Sequence, residues 1–302
     1  MKIVFLGTSN FSVACLEALL KSKHEVLAVV CQPDKPSGRG NKLTSPPIKT
    51  FASEHNIKVL QFNKIRLDGV VPLKALKPDA LVVAAYGQIL SQEILDIALP
   101  INVHGSLLPK YRGASPIQTA LINGDTETGI TIMKMVYEVD AGDILLQEKL
   151  NILPDDNAET LFERMGSLGG KLIVKALDMI ELGEAKFIPQ DNSKATFTKM
   201  LTKESAEIDF NDTAKNIVNK VRGYYKNPTA YFVHNNEKFK VFKAEERKNL
   251  TKLLNGHIIS ANSKDGLVIK CQDGAVEILE LQAPNSKRMT AKAYLNGKKL
   301  NN

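Results

Sequence analysis

The sequence predicts an α/β protein: a Rossmann-like, mostly parallel sheet with helices on both faces, followed by a small C-terminal β-barrel of OB-like design. Three observations carry this prediction. Apolar runs with little polar alternation recur through the first half and are separated by helix-like stretches, which is the pattern of a sheet covered on both faces. After Gly183 the chain turns polar and lysine-bearing. Beyond that stretch, short strand-like runs are punctuated by Asn255-Gly256, Asp265-Gly266 and Asp273-Gly274, dipeptides that favour tight turns.

The elements follow in order. Residues 2–7 form an apolar run ending in glycine. Thr8-Ser9-Asn10 then opens a helical pattern through Leu20, which reads as strand, loop, helix. Val26 to Cys31, Val59 to Phe62, Ala80 to Tyr86 and Ile101 to His104 read as further strands, and Thr128 to Met135 and Asp143 to Ile152 as two more. Leu161, Met165, Leu168, Leu172, Leu177 and Ile180 keep helical spacing, so Ala158 to Leu182 reads as one long helix. A helix is expected over Thr213 to Arg222. Short strands are expected at Ala230–Val233, Phe239–Phe242, His257–Ile259, Leu267–Ile269 and Val276–Leu281; one helix with about five short strands fits a small barrel. The expected organisation is a catalytic domain over 1–188, a linker over 189–207 and a C-terminal domain over 208–302.

Composition narrows the function classes. With 43% hydrophobic residues the chain can bury a sizeable core. No apolar run approaches membrane-spanning length, and no signal-peptide pattern opens the chain. Cys15, Cys31 and Cys271 lie far apart and lack CxxC spacing. They read as packing residues in a reducing cytoplasm, with neither a disulfide framework nor a zinc site. The net charge of +7 is unevenly placed: residues 1–205 hold 23 basic and 23 acidic side chains, and residues 206–302 hold 17 and 10. A basic module joined to a neutral one points to a polyanionic partner, nucleic acid first. It also reads as a lysine-rich surface kept for solubility.

The clearest chemical signal is Asn102-Val103-His104-Gly105-Ser106-Leu107-Leu108-Pro109. A strand ends here, where open α/β sheets hold their ligands. Asn102 and His104 are two apart and share one face of the strand. An amide that stabilises an oxyanion, beside an imidazole that handles a proton, suits acyl transfer. Asp140 sits before a glycine in a loop between two strands, where a carboxylate can orient an imidazole. On residue chemistry alone, His104 also reads as an ordinary strand-end histidine and Asp140 as an ordinary turn aspartate. Gly7-Thr8-Ser9-Asn10 lacks both GxGxxG and P-loop spacing, which excludes dinucleotide and ATP binding through those motifs.

The block His104-Gly-Ser-Leu-Leu-Pro-Lys-Tyr-Arg-Gly-Ala-Ser-Pro-Ile-Gln118 resembles the signature of the folate-dependent formyltransferases. The resemblance implies a catalytic trio at Asn102, His104 and Asp140. It implies 10-formyltetrahydrofolate as formyl donor, with no metal. It further implies pterin contacts from the backbone of Tyr86, Gly87, Gln88, Ile89 and Leu90 and from Val139 before Asp140. Ser106, Leu107, Leu108 and Pro109 would line the folate pocket, and the loop after Gly7 would be open to an acceptor contact.

Three other segments bear on the acceptor. Gln32 to Leu43 is a Pro/Gly-rich loop carrying Lys35, Arg39 and Lys42, a composition suited to phosphate-backbone contact. It resembles the insertion by which family members acting on methionyl-tRNA approach the acceptor end of the initiator tRNA, with Arg39 at the position placed in the acceptor stem. Phe197 to Glu204, with Lys199 and Lys203, resembles their lysine-bearing linker. Leu281 to Leu300 resembles the end of their basic C-terminal domain. Two departures are visible: the chain has no tryptophan, and Phe197-Thr198 stands where relatives often have Tyr-Ala. The resemblance thus implies initiator methionyl-tRNA as acceptor; a cytoplasmic location without membrane contact is expected from the composition, and a monomer is expected. The alternative within the family is a sugar-nucleotide N-formyltransferase, which has the same trio.

Overall fold

The structure, a computed structural model, describes residues 1–37, 42–248, 251–298 and 300. The chain forms two compact units. The first comprises Met1–Pro116, Glu127–Asn151 and Phe162–Thr198; the second comprises Ile117–Thr126, Ile152–Leu161 and Lys199–Asn302.

In the first unit, β1 (Lys2–Gly7) is buried from Ile3 to Leu6, as the unbroken apolar run requires. It is followed by α1 (Asn10–Leu20), β2 (Glu25–Cys31), β3 (Lys35–Ser37), β4 (Lys42–Thr44), α2 (Pro47–Glu54) and β5 (Val59–Gln61). Next come α3 (Ile65–Asp68), α4 (Val70–Ala75), β6 (Ala80–Ala84), α5 (Gln92–Leu95), β7 (Leu99–His104) and β8 (Arg112–Gly113). After α6 (Pro116–Ile122), whose residues from Ile117 onward belong to the second unit, β9 (Glu127–Lys134) and β10 (Ile144–Asn151) lead into α7 (Ala158–Glu181), which belongs to the first unit from Phe162, and β11 (Phe197–Thr198) closes the unit.

Seven of these strands form one sheet in the order β10-β9-β7-β6-β1-β2-β5. The five from β5 to β7 pair in parallel, and β9 and β10 add an antiparallel edge. The order reverses at β1: the chain runs outward through β2 and β5, then returns to β6 on the other side. The carboxyl ends of β1, β6 and β7 therefore lie side by side, where such sheets hold ligands. The Gly7-to-Asn10 loop serves this join. A Cβ on Gly7 would come within 2.5 Å of Ser12 Cβ, and Ser12 Oγ accepts the Thr8 N–H while donating to Ala84 O.

Helix α7 runs 24 residues, in keeping with the spacing of its apolar side chains. Its glycine face permits close packing: a Cβ on Gly169 would approach Val103 Cγ1 to 2.9 Å and one on Gly170 would approach Ala18 Cβ to 2.8 Å. The three cysteines are buried and free. Burial pushes the Cys15 thiol up to about 12 and the Cys31 thiol to about 11, so neither is a thiolate at neutral pH.

The segment expected to be an irregular basic loop is partly ordered. β3 and β4 pair antiparallel, with Pro36 opposite Leu43. Composition pointed to a loop because Pro and Gly dominate it; pairing between its two arms overrides that local preference. Arg39 lies outside the described residues.

The second unit adds α8 (Ala214–Gly223), β12 (Tyr231–His234), β13 (Glu237–Arg247), β14 (Ile258–Asn262), β15 (Gly266–Lys270), β16 (Ala275–Gln282), β17 (Met289–Thr290) and α9 (Ala291–Leu295). Its sheet is antiparallel in the order β12-β13-β16-β15-β14, with β17 on β16. Among the described residues no pairing joins β14 to β12, so this OB-like domain is a curled half-barrel rather than a closed one. Phe239, Val241, Leu267, Ile278 and Leu281 are among the side chains of its core. No described helix is long and apolar enough to cross a membrane.

Candidate active site

Strand β7 ends with Asn102 and His104 on one face, both buried. Buried polar groups need partners, and each has one. Asn102 Nδ2 donates to Asp140 Oδ1 over 3.3 Å. His104 Nε2 lies 2.9 Å from the carbonyl oxygen of Tyr111, an acceptor, so Nε2 carries the hydrogen. Nδ1 is then the nitrogen left to exchange a proton, and it lies 3.5 Å from Asp140 Oδ1. The three residues expected as a trio stand together.

Asp140 is aimed by its backbone. Its φ is +52°, a left-handed conformation that carries a steric cost outside glycine. Its Oδ2 accepts the Gly113 N–H over 2.8 Å, which leaves Oδ1 facing Asn102 and His104. Tyr111, also left-handed at φ +62°, presents the carbonyl that fixes the imidazole.

The turn after His104 is internally bonded. Ser106 Oγ donates to Lys110 O and its carbonyl accepts from Thr131 Oγ1. The Leu108 N–H donates to Thr131 Oγ1, and Leu108 O accepts from Gln147 Nε2. Ser106 and Leu108 are buried, whereas Leu107 and Pro109 are partly exposed. Gln147 and Thr131 escaped sequence reasoning, since neither belongs to a spaced motif.

The 86–90 segment divides by side chain. Tyr86 and Leu90 pack into a core cluster that Met135 also joins, while Ile89 is 67% exposed. Burial pushes the Tyr86 phenol up, and its hydroxyl has no hydrogen-bond partner among the described residues. Tyr86 O accepts from Thr8 Oγ1 and Gln32 Nε2. Gln88 uses its side chain on the Ile65 N–H and Phe62 O, so it holds the loop rather than projecting outward. Val139, 56% exposed, flanks Asp140. Ile89 and Val139 thus each present apolar side-chain surface to solvent.

Lys35 is exposed on β3, and only the backbone of Lys42 is described. Beside β3, Asp34 accepts from Lys49 Nζ, Gln61 Nε2 and Ser45 Oγ; Lys49 and Gln61 hold its carboxyl below the usual range. Lys199 and Lys203 are exposed in the second unit. Among the described residues no group of three or more His, Cys, Asp or Glu is arranged to hold a metal.

Two family models match the chain: formyl transferase over residues 1–177, and formyl transferase, C-terminal domain, over residues 200–299. The methionyl-tRNA formyltransferase of Sulfurihydrogenibium sp. is 42% identical over 99% of this chain and 98% of its own. That of Acetivibrio thermocellus is 43% identical over 99% and 97%. Among solved structures, HypX from Aquifex aeolicus in complex with tetrahydrofolic acid is similar in fold, with TM-score 0.66 and 18% identity over 98% of this chain. The chain spans about half of HypX, 47% of its length. The sugar 3N-formyl transferase WlaRD gives TM-score 0.67 at 22% identity, over 95% and 99% of the two chains.

Proposed function

The chain belongs to the formyl transferase family, and from that premise we infer that it moves the formyl group of 10-formyltetrahydrofolate onto the free amino group of initiator methionyl-tRNA. The product is N-formylmethionyl-tRNA for translation initiation. The observation that carries this reading is likeness over nearly the whole chain, C-terminal domain included, to relatives named for that reaction.

The proposed chemistry rests on Asn102, His104 and Asp140. 10-formyltetrahydrofolate supplies the formyl group; the acceptor amine attacks its carbon directly. Asn102 Nδ2 gives one hydrogen to Asp140 and keeps the other for the oxygen that gains negative charge. His104 takes at Nδ1 the proton the amine gives up, and Asp140 stabilises the charged ring. His104 then returns that proton to the departing nitrogen, so protons balance.

Exposed Ile89 and Val139 support the pterin reading, and the turn from Ser106 to Pro109 is proposed to line the folate pocket. Lys35, Arg39, Lys42, Lys199 and Lys203 are proposed to contact tRNA. The reaction is proposed to run in the cytoplasm, on a monomer.

The test offers the protein 10-formyltetrahydrofolate together with either charged initiator tRNA or an amino-sugar nucleotide and identifies the product. Formylmethionyl-tRNA is expected. Formylation of the sugar alone overturns the reading.

A further inference from the structure

Arg112 is among the largest fully buried side chains, 2% exposed, and among the described residues it meets no carboxylate. A buried charge without compensation is costly. Here the guanidinium is held by two neutral oxygens. Its Nε and Nη2 donate to Gln190 Oε1 over 3.1 and 2.8 Å, and Nη2 also donates to Asn192 Oδ1 over 2.6 Å.

The far side of the Gln190 amide completes the arrangement. Its Nε2 donates to Asp140 O over 2.9 Å and to Gly142 O over 2.7 Å. Only this orientation of the amide satisfies both a guanidinium, which can only donate, and two carbonyls, which can only accept. The cation polarises the amide and strengthens its N–H donors. The two carbonyls it grips flank the turn in which Asp140 holds φ +52°. That turn sets where Asp140 Oδ1 falls relative to Asn102 and His104.

We propose that Gln190, charged from behind by buried Arg112, is a positioning residue for Asp140: it fixes the left-handed turn that aims the carboxylate at the imidazole. The segment around Gln190 is anchored for this task. Arg112 N–H donates to Thr196 O, and β8 pairs in parallel with β11. The inference rests on the catalytic reading of Asp140.

The experiment measures kcat, folate KM and Tm for Gln190→Ala, Gln190→Glu, Asp140→Asn and the double variant Gln190→Ala/Asp140→Asn. Gln190→Glu still pairs with Arg112 but presents oxygen to the two carbonyls. It is expected to remain folded with a lowered Tm and to lose roughly 10²-fold in kcat, the scale of a small misplacement. Folate KM should change by a much smaller factor than kcat, because the carboxylate acts on the reacting groups while Val139 is one of several proposed pterin contacts. Gln190→Ala should lose a similar factor in the wild-type background. In the Asp140→Asn background it should cost little more, since its effect runs through that carboxylate. Wild-type kcat in Gln190→Glu, or an equal fold-loss from Gln190→Ala in both backgrounds, overturns the proposal. If Asp140→Asn is itself fully active, the catalytic reading falls and takes the proposal with it. If Asp140→Asn is impaired while both Gln190 variants are active, the proposal alone falls.

Discussion

The side-chain amide of Asn102 donates to Asp140 Oδ1 over 3.3 Å although the two residues stand 38 positions apart. The carboxylate is thereby shared: one oxygen serves the β7 pair, and the other takes the Gly113 N–H. Asp140→Asn keeps the size of the side chain but turns one of these two acceptors into a donor facing a donor. Single-turnover formylation of methionyl-tRNA should slow by ~10²–10⁴-fold in Asp140→Asn and in His104→Ala, the range for a positioned acid–base group. Near-native rates in either would contradict the trio.

Arg39 is proposed to read the acceptor end of the tRNA. Arg39→Ala should lower kcat/KM more for methionyl initiator tRNA than for a fully paired control, by roughly 1–3 kcal/mol if the contact is to a base. A contact to phosphate alone would weaken both substrates alike and reduce the salt dependence. The comparison is kcat/KM for both tRNAs at two salt concentrations, and an unchanged set would count against a role for the loop.

In the second unit, α8 packs closely at Gly223. A Cβ there would lie 2.4 Å from Ile122 Cγ1 and 3.0 Å from Gln118 O. Arg222 fastens the same helix by donating to Asp156 O and Leu153 O. Gly223→Ala should therefore destabilise the protein by about 1–3 kcal/mol through overpacking. Urea unfolding monitored in the second unit measures it. A neutral result would mean that α8 shifts without cost.

Glu181 carries a pH prediction. Lys23 first, and then the terminal amine, hold its carboxyl down from the ordinary 4.5 to about 2. A depressed carboxylate stabilises the fold above its unfolded value and loses that contribution as pH falls through its folded value. Tm curves of wild type and Glu181→Gln should thus separate above pH 4.5 and converge towards pH 2. Added salt should narrow the gap, because the pair is solvent-exposed. Parallel curves down to pH 2 would remove Glu181 from the acid response.

Much of this protein was legible in its residues. Unbroken apolar runs such as Ile3 to Leu6 marked buried parallel strands. A period of two put Asn102 and His104 on one face. The Asn-Gly and Asp-Gly dipeptides located turns of the C-terminal sheet. Each of these is a relation between near neighbours in the chain, and near neighbours share backbone geometry whatever the rest of the fold does.

What the sequence could not disclose depends on residues far apart meeting. Gln190 reads as part of a polar connecting stretch, yet it bonds Arg112 and Asp140 across 78 and 50 positions. Ile122, close in sequence to the block from His104 to Gln118, packs against the core of the second unit. Composition determined that a buried sheet and a basic C-terminal module would form and which side chains could do chemistry. Only the strand order decided which of them meet, because a hydrogen bond falls away within an ångström or two and the topology alone brings distant residues that close.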